Sequence, residues 1–311
     1  MAETNDFDEF YNASIAPSIS RMQTESKKAD RWGITGILSF TAFITIGYLG
    51  TMQNLIPGFG WYMLILIAIS IVALVKYKNN NDTFVDDFKS SVITKIVDHI
   101  SPGVQFKPDE CISSVDYERS SLYRYQYEDY SGSNLMEGNI DGSQFLFSEL
   151  YTSYVDGRTR IPIFKGLFFV LQMPFAFSGC TYVWSQDNVQ LARSVYDEAY
   201  RLFPMPDVSD VGFGDAAFED VFSVCSTYPA EAVAILTPAL RERLVGISQN
   251  AQHPVSFSFV AGNMYTAIAS ANELLEPARY APGNKDQAYT YYLTIQLIIG
   301  IVKLLRTSEA A

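Results

Sequence analysis

The sequence predicts an α+β protein in which an N-terminal transmembrane helical hairpin precedes a cytosolic domain with a mainly antiparallel sheet and packed helices. Three observations lead to this fold class. No charged residue occurs among the 44 residues from Trp32 to Val75. From about Ser121 to Ser185 the spacing of apolar residues changes toward a period of two, which is typical of strands. Segments with helical spacing and capping residues precede and follow those strands.

The composition limits the classes of protein to be considered. The chain has 311 residues, of which 48% are hydrophobic and 18% are charged, and its formal net charge is −12. These totals exclude a disordered chain and a small protein held together by disulfides. Because Lys and Arg number 22 against 34 Asp and Glu, the chain is not a basic nucleic-acid binder, and no nucleic-acid partner is expected.

The charge-free run is long enough for two membrane spans and a tight turn, since one helix crosses the hydrocarbon core with about 20 residues. Pro57 and Gly60 mark the turn, because both residue types interrupt helices. The first span is predicted at about 32–52 and the second at about 60–77, within a transmembrane hairpin of residues 32–78. The alternative is a buried helical hairpin in a soluble core, but such helices keep a polar stripe that both segments lack.

Residues at the ends of the spans predict how the hairpin lies in the bilayer. Basic residues flank the outer ends, and positive flanks stay cytoplasmic, so both termini are expected in the cytoplasm. The N-terminal cytosolic segment 1–31 is too polar for a cleavable signal peptide. Residues 79–311 are then expected to form the cytosolic α+β domain. The predicted membrane-interface residues are Trp32, Tyr48, Trp61, Tyr62, Tyr77, Lys27, Lys28, Arg31, Lys76 and Lys78.

Helices and strands follow one another along the predicted cytosolic domain. A polar joint at 79–82 precedes a helix that Thr83 caps and that ends at 101–103. Strict alternation at Tyr123–Tyr127 predicts the first strand. The remaining elements are predicted as strands at 144–151, 161–173, 179–185, 222–225, 255–260 and 264–269, and as helices at 188–203, 229–236 and 237–247.

Residues 286–305 form an apolar segment with helical spacing, and its length nearly allows a third span. We favour a helix packed on the sheet, because polar residues such as Gln287 and Lys303 interrupt the segment and Gly300 weakens it. A third span would place the C-terminus outside, beyond the basic Arg306, against the charge rule.

Several short segments, taken in order, resemble a known family over nearly the whole chain. They are Phe10-Tyr11, Phe164-Lys165-Gly166-Leu167-Phe168-Phe169, and residues 218–224, 228–232, 235–244, 255–259 and 275–277. In this order the chain resembles the bacterial membrane proteins of the family "domain of unknown function 3137". The Phe-Lys-Gly and Leu-Thr-Pro-Ala-Leu segments carry most of the resemblance.

This resemblance implies a bacterial integral inner-membrane protein with a cytosolic α+β domain and no established enzyme activity. It also implies a LemA-like coiled-coil membrane protein as a candidate partner. The residues of the two main segments become candidates for a family-specific or interaction role. They are Phe164, Lys165, Gly166, Thr237 and Pro238.

The sequence carries no motif for catalysis or cofactor binding. His99 and His253 have no neighbouring ligand at zinc spacing, and Gly212-Phe213-Gly214 lacks the third glycine of a dinucleotide loop. No hydrolase nucleophile elbow and no Walker A sequence occurs. We therefore predict no catalytic, cofactor-binding or metal-ligating residues.

Two groups of side chains are candidates for recognition. Arg241 and Arg243 are the best cations for an acidic group, although ion pairs with Glu242 or Glu231 are the favoured interpretation. A cluster of tyrosines forms either a peptide- or ligand-binding face or, as we favour, one amphipathic face of the sheet. This cluster comprises Tyr117, Tyr123, Tyr125, Tyr127 and Tyr130.

Together these observations lead to the hypothesis of an integral inner-membrane protein that acts in interaction, regulation or scaffolding. It would present its cytosolic domain at the membrane and bind a protein partner or a second copy of itself. The alternatives are a membrane-anchored enzyme with a site that no motif reveals, and a subunit of an oligomeric channel or transport complex.

Overall fold

A large antiparallel sheet with packed helices confirms the predicted α+β class. The computed structural model of the protein describes residues 2–52, 59–140, 142–186, 207–251, 253–270, 274–275 and 284–306. The helix predicted at 188–203 lies outside the described residues. By its internal contacts the chain divides into two compact units, one of Met1–Ile96 with Glu276–Tyr292 and one of Val97–Leu275 with Leu293–Ala311.

Long helices make up the N-terminal part of the chain. They are α1 (Ala2–Phe10), α2 (Ala16–Met52), α3 (Phe59–Phe88) and α4 (Thr94–Ile100), with π-helical segments at Tyr11–Ile15 and Lys89–Ile93. By length and composition, three helical stretches of the described chain are apolar enough to cross a membrane. These are Asp6–Gly50, Gly60–Ile100 and Lys285–Leu305. Long apolar helices therefore occur where the charge-free run predicts them.

Small residues let α2 and α3 pack against each other. A β-carbon built on Gly33 would lie 3.2 Å from the ring of Tyr77. Farther along, the hydroxyls of Ser39 and Ser70 share a hydrogen bond of 2.8 Å. Residues farther along α2 contact residues that come earlier in α3, so the two helices run in opposite directions.

The polar joint predicted at 79–82 is wrong, because α3 continues through it to Phe88. Thr83 does not cap a new helix; its hydroxyl donates to the Asn79 carbonyl oxygen at 2.9 Å, one turn earlier. Extending an existing helix needs no new nucleation, so a few residues of low helix propensity do not end it. The predicted end is confirmed, since α4 stops at Ile100, just before Pro102.

The described chain contributes nine strands to the sheet, in the order β1-β2-β3-β4-β9-β8-β5-β7-β6, and all neighbours are antiparallel. The strands are β1 (Gln105–Lys107), β2 (Asp129–Ile140), β3 (Ser143–Asp156), β4 (Thr159–Gln172), β5 (Thr181–Ser185), β6 (Ser209–Asp210), β7 (Phe222–Ser226), β8 (Val255–Val260) and β9 (Asn263–Ala269). The accompanying helices are α5 (Ser114–Ser120), α6 (Ala216–Glu219), α7 (Pro229–Ile235), α8 (Pro238–Ala251) and α9 (Lys285–Arg306).

Most predicted strands are confirmed, but the one at Tyr123–Tyr127 is wrong. Apart from an isolated bridge at Tyr125, this stretch forms no strand, and β2 begins at Asp129. Its alternation has another cause. The Tyr123 ring packs 4.7 Å from that of Phe164, so these aromatic side chains cover the sheet instead of extending it.

The register of the strands divides their side chains between two faces. On one face Leu150, Phe168 and Tyr265 form a buried core with Tyr117 of α5. On the other face lie Leu167 and Ile268, which are neighbours across β4 and β9, together with other buried residues. The second face is the one that α8 and α9 flank, and it carries the candidate site.

Candidate functional site

A groove runs between α8 and α9 on the second face of the sheet. Its volume is about 1110 Å³, and its walls are residues 239–251 of α8 and 293–304 of α9. At a rise of about 1.5 Å per residue, each wall is roughly three helical turns long. Leu167 of β4 and Ile268 of β9 form the floor. The groove thus has the length of a short helix.

The motif segment of β4 positions this floor. Gly166 has a φ of +153°, and a β-carbon there would lie 2.1 Å from the Ile268 carbonyl oxygen. Beside this glycine, the backbone amide of Ser270 donates a hydrogen bond of 2.9 Å to the carbonyl oxygen of Lys165. Only glycine lets the two strands approach this closely, which places Leu167 beside Ile268.

The buried side chain of Glu149 holds one of the residues that line the groove. Glu149 is 7% exposed, and its Oε1 accepts the backbone N–H groups of Leu274 at 2.7 Å and Leu275 at 3.0 Å. Its Oε2 accepts a hydrogen bond from the side-chain amide of Asn134 at 3.1 Å. Hydrogen bonds to a charged acceptor are the stronger kind. Because Leu274 lines the groove, Glu149 of β3 is a positioning residue for the site.

The start of α8 is set by the second motif segment. Pro238 occupies the first helical position, where its missing N–H costs nothing. The Leu240 amide donates to the Thr237 hydroxyl at 3.3 Å, as expected of an N-terminal cap. Thr237 and Pro238 therefore determine where the α8 wall begins, and neither side chain is among those that line the groove.

Arg241 pairs with a residue that the sequence did not suggest. Its Nε lies 2.8 Å from Oδ2 of Asp215, and its Nη1 donates to the Leu236 carbonyl oxygen at 2.8 Å. The favoured partners are therefore wrong for Arg241; Glu231 instead accepts two backbone N–H groups, those of residues 178 and 179. The hydrogen bond from Arg241 holds the pKa of Asp215 below its ordinary value. Arg241 serves to anchor α8.

Arg243 is one of the residues that line the groove, whereas Arg241 is not. It lines the wall beside Glu242, and its Nη1 donates to the Leu304 carbonyl oxygen on the opposite wall at 3.4 Å. The guanidinium has five N–H donors, and this hydrogen bond uses one of them, so the group has the capacity to bind a ligand as well. On the α9 wall of the groove, Leu297 is 54% exposed. The site therefore combines mainly apolar walls with one basic residue, Arg243, and one acidic residue, Glu242.

Each wall carries a glycine in the middle of a helix. Apart from the adjacent residues and backbone of its own helix, a β-carbon built on Gly246 of α8 or on Gly300 of α9 would meet no atom of the described structure within 4 Å. Glycine in a helix interior costs about 1 kcal/mol relative to alanine. The packing of the described chain does not require either glycine, so both mark places where a ligand backbone can approach closely.

The other recognition candidates lie elsewhere. Phe164 is buried in the core on the opposite face of the sheet. Tyr117 belongs to α5 and donates to, or accepts from, the Thr152 hydroxyl at 2.9 Å. Burial raises the pKa of both Tyr117 and Tyr130, so these phenols stay protonated at neutral pH. The expectation that the cluster is one face of the sheet is wrong, because Tyr117 lies on a helix that covers it.

The predicted membrane-interface residues lie on α2 and α3, where the exposed fractions of Trp61, Tyr48 and Tyr62 are 75%, 60% and 52%. Tyr77 instead packs on Gly33. A second depression, of about 440 Å³, lies between α2 and α3 beside the two ends of the charge-free run. It is lined by Lys28, Arg31, Trp32, Thr35, Lys76 and Asn80, whereas Lys27 and Lys78 are exposed outside that lining.

Across the ranges that the structure describes, no group of three or more His, Cys, Asp or Glu side chains is arranged to hold a metal ion. His253 lines the groove. Sequence reasoning missed Glu149, Asp215 and Gly246 as residues that shape the site. Gly246 alone carried a local signal, since it interrupts a predicted helix; the other two act on partners far away along the chain.

Comparison with known proteins adds a family and a distant structural likeness. Residues 162–307 match the family described as "Protein of unknown function (DUF3137)". That segment contains both walls and the floor of the groove. Among solved structures, the chain is similar to the mycobacterial trehalose monomycolate transport factor A, TtfA, with 10% identity and a TM-score of 0.34. The likeness covers 68% of this chain and 96% of that chain. No curated protein matches the chain.

Proposed function

We propose that this chain, whose residues 162–307 match the DUF3137 family of unknown function, is a membrane-anchored binding protein, a role argued from the site itself. In this proposal α2 and α3 form a transmembrane hairpin in a bacterial inner membrane, with both termini in the cytoplasm. The cytosolic domain takes an amphipathic helix of a partner protein into the groove between α8 and α9.

The proposed anchor is supported by exposed apolar surface on α2 and α3, which is unfavourable in water. On α2 the exposed fraction of Ile37 is 69% and that of Leu38 is 65%, and on α3 that of Leu64 is 60%. Exposed apolar area costs roughly 25 cal/mol per Å² in water, and contiguous patches mark membrane or protein contacts. The hydroxyls of Ser39 and Ser70 bond to each other, so these polar groups are satisfied without water.

The groove between α8 and α9 is the observation that carries the binding role. Its walls are mainly apolar, its length fits about three helical turns, and Gly246 and Gly300 leave room for a close backbone approach. Helix-in-groove docking uses such a surface to receive the apolar face of an amphipathic helix. Arg243 on the α8 wall suits a carboxylate on that helix.

The experiment is co-purification of the full chain in mild detergent, followed by quantitative mass spectrometry. The double variant Gly246→Leu with Gly300→Leu fills the groove from both walls. Val233→Leu on α7 is the control, because Val233 is also apolar, is 53% exposed and does not line the groove. We expect one protein to be retained by the wild type and the control and to be lost from the groove variant.

Equal retention by the groove variant and the control would contradict the groove as the binding surface. If the lost protein is an untagged copy of the same chain, the occupant is a second copy and the heterologous partner is contradicted. The anchor is tested separately. A cysteine introduced at Ala311 should resist an impermeant thiol reagent in intact cells, and labelling would contradict the cytoplasmic placement.

A further inference from the structure

Three basic side chains converge in the depression between α2 and α3. Lys28 and Arg31 come from one face of α2, since they are three residues apart, and Lys76 comes from α3. Asn80, one turn after Lys76, adds a side-chain amide, and Trp32 contributes an aromatic wall. The depression therefore presents several N–H donors to one volume of about 440 Å³.

Packing between the two helices keeps these donors in register. The ring of Tyr77 lies against Gly33, directly beside Trp32 and Lys76 in sequence. Ser39 and Ser70 link the helices again about two turns farther along. A packed helix pair thus sets the backbone positions of the residues that line the depression.

We propose that this depression binds the phosphate group of an anionic phospholipid headgroup. Lys28, Arg31 and Lys76 neutralise the phosphate, Asn80 donates to an oxygen, and the Trp32 ring packs against the glycerol region. Basic pockets between membrane helices on the cytoplasmic side are suited to such headgroups. The inference rests on the proposed membrane insertion of α2 and α3.

The position of the depression favours a lipid over free phosphate in solution. It lies where the charge-free run begins at Trp32 and ends at Val75. Next to it, the exposed fraction of Ile34 is 58% and those of Val72 and Val75 are 53% each, so apolar surface for acyl chains adjoins the cations. A soluble phosphate would use the donors but not this surface.

A matched pair of double variants tests the assignment. Lys28→Gln with Lys76→Gln removes two lining cations, and Lys27→Gln with Lys78→Gln removes two neighbours that do not line the depression. The full chain in a neutral detergent is titrated with phosphatidylglycerol, and bound lipid is counted by native mass spectrometry. Parallel titrations use phosphatidylcholine and inorganic phosphate.

We expect the lining variant to lose about 25-fold in affinity for phosphatidylglycerol, at about fivefold for each of the two removed charges. The control should stay close to wild type, and phosphatidylcholine should bind more weakly. Equal losses in both variants would overturn the site in favour of diffuse attraction. If the wild-type chain binds inorganic phosphate at millimolar concentration but binds no phosphatidylglycerol, the lipid assignment is overturned.

Carbonate extraction of cell membranes keeps this failure apart from failure of the anchor. A lining variant that stays in the membrane fraction but loses phosphatidylglycerol supports the headgroup site. A wild-type chain that carbonate releases overturns both the anchor and the headgroup site. A wild-type chain that stays in the membrane but shows no preference for phosphatidylglycerol overturns the headgroup site alone.

Discussion

Gly246 of α8 and Gly300 of α9 line the same groove from opposite walls, and at neither position would an added β-carbon come within 4 Å of a described atom beyond the adjacent residues and backbone of its own helix. Both lie inside continuous helices, at a cost in helix propensity of about 1 kcal/mol each. A protein that keeps two such positions facing one cavity gains no packing from them in the described chain. The proposed role of the groove gives them a purpose, since a docked helix would use the space.

The first prediction concerns these two glycines. Gly246→Ala and Gly300→Ala should each raise the free energy of unfolding by about 0.5–1 kcal/mol, because alanine improves helix propensity and meets no neighbour. Denaturant titration of the full chain in mild detergent, followed by tryptophan fluorescence, measures the change. A loss of stability in either variant would show that the space is filled.

The second prediction concerns the floor. Gly166→Ala should lower the free energy of unfolding by about 3 kcal/mol or more, because the β-carbon would clash with the Ile268 carbonyl oxygen. Gly157→Ala is the matched control. Gly157 has a φ of +62° and open space around it, so only the cost of the left-handed conformation, about 1 kcal/mol, is expected. The idea fails if the two variants lose equal stability in the same titration.

The third prediction concerns the buried carboxylate that holds Leu274. Glu149→Ala should destabilise the protein by about 3 kcal/mol, because it leaves buried N–H donors of Leu274, Leu275 and Asn134 without their acceptor. Glu149→Gln should cost only about 1 kcal/mol. Among the described residues Asn134 Oδ1 has no hydrogen-bond partner, so its amide can rotate and accept from the new glutamine. Similar losses for both variants would contradict this account.

The fourth prediction concerns the pH dependence of the Arg241–Asp215 pair. The folded-state pKa of Asp215 is lowered, so its contribution to stability is complete above the unfolded pKa of about 4 and disappears as the pH falls through the folded value. Asp215→Asn removes that contribution. Its stability deficit should be largest near neutral pH and shrink below about pH 4.

Urea unfolding of the two proteins from pH 7 to pH 3 measures this deficit. Arg241→Gln serves as the companion variant, because it removes the cause of the shift while leaving the carboxyl in place. The stability deficit of Arg241→Gln relative to the wild type should shrink over the same pH range. A deficit in Asp215→Asn that stays constant through that range would contradict the ion pair as the origin.

Local patterns sufficed for much of the fold. The long apolar run at 161–173 predicted β4, the two strand-like segments around the turn at Ala261-Gly262 predicted the β8–β9 hairpin, and Thr237-Pro238 marked the start of α8. These features depend on neighbours in sequence, whose preferences the chain shows directly.

The elements that tertiary contacts decide were not predictable in this way. Tyr123 alternates with polar residues as a strand would, but its ring packs on Phe164. Glu149 accepts a hydrogen bond from the backbone amide of Leu274, which is 125 residues away in the sequence, and Arg241 pairs with Asp215 across 26 residues. No local pattern encodes such pairs, so the groove was invisible from the sequence although Arg243, one of its lining residues, was a candidate.

Site-specific photo-crosslinking in intact cells tests the central claim most directly. A photoreactive phenylalanine at Leu297, inside the groove, is compared with one at Val233, outside it; the two side chains have exposed fractions of 54% and 53%. The proposed function predicts a discrete adduct with one partner protein at position 297 and none at position 233. No adduct at 297, or the same adducts at both positions, would contradict the groove as the binding site.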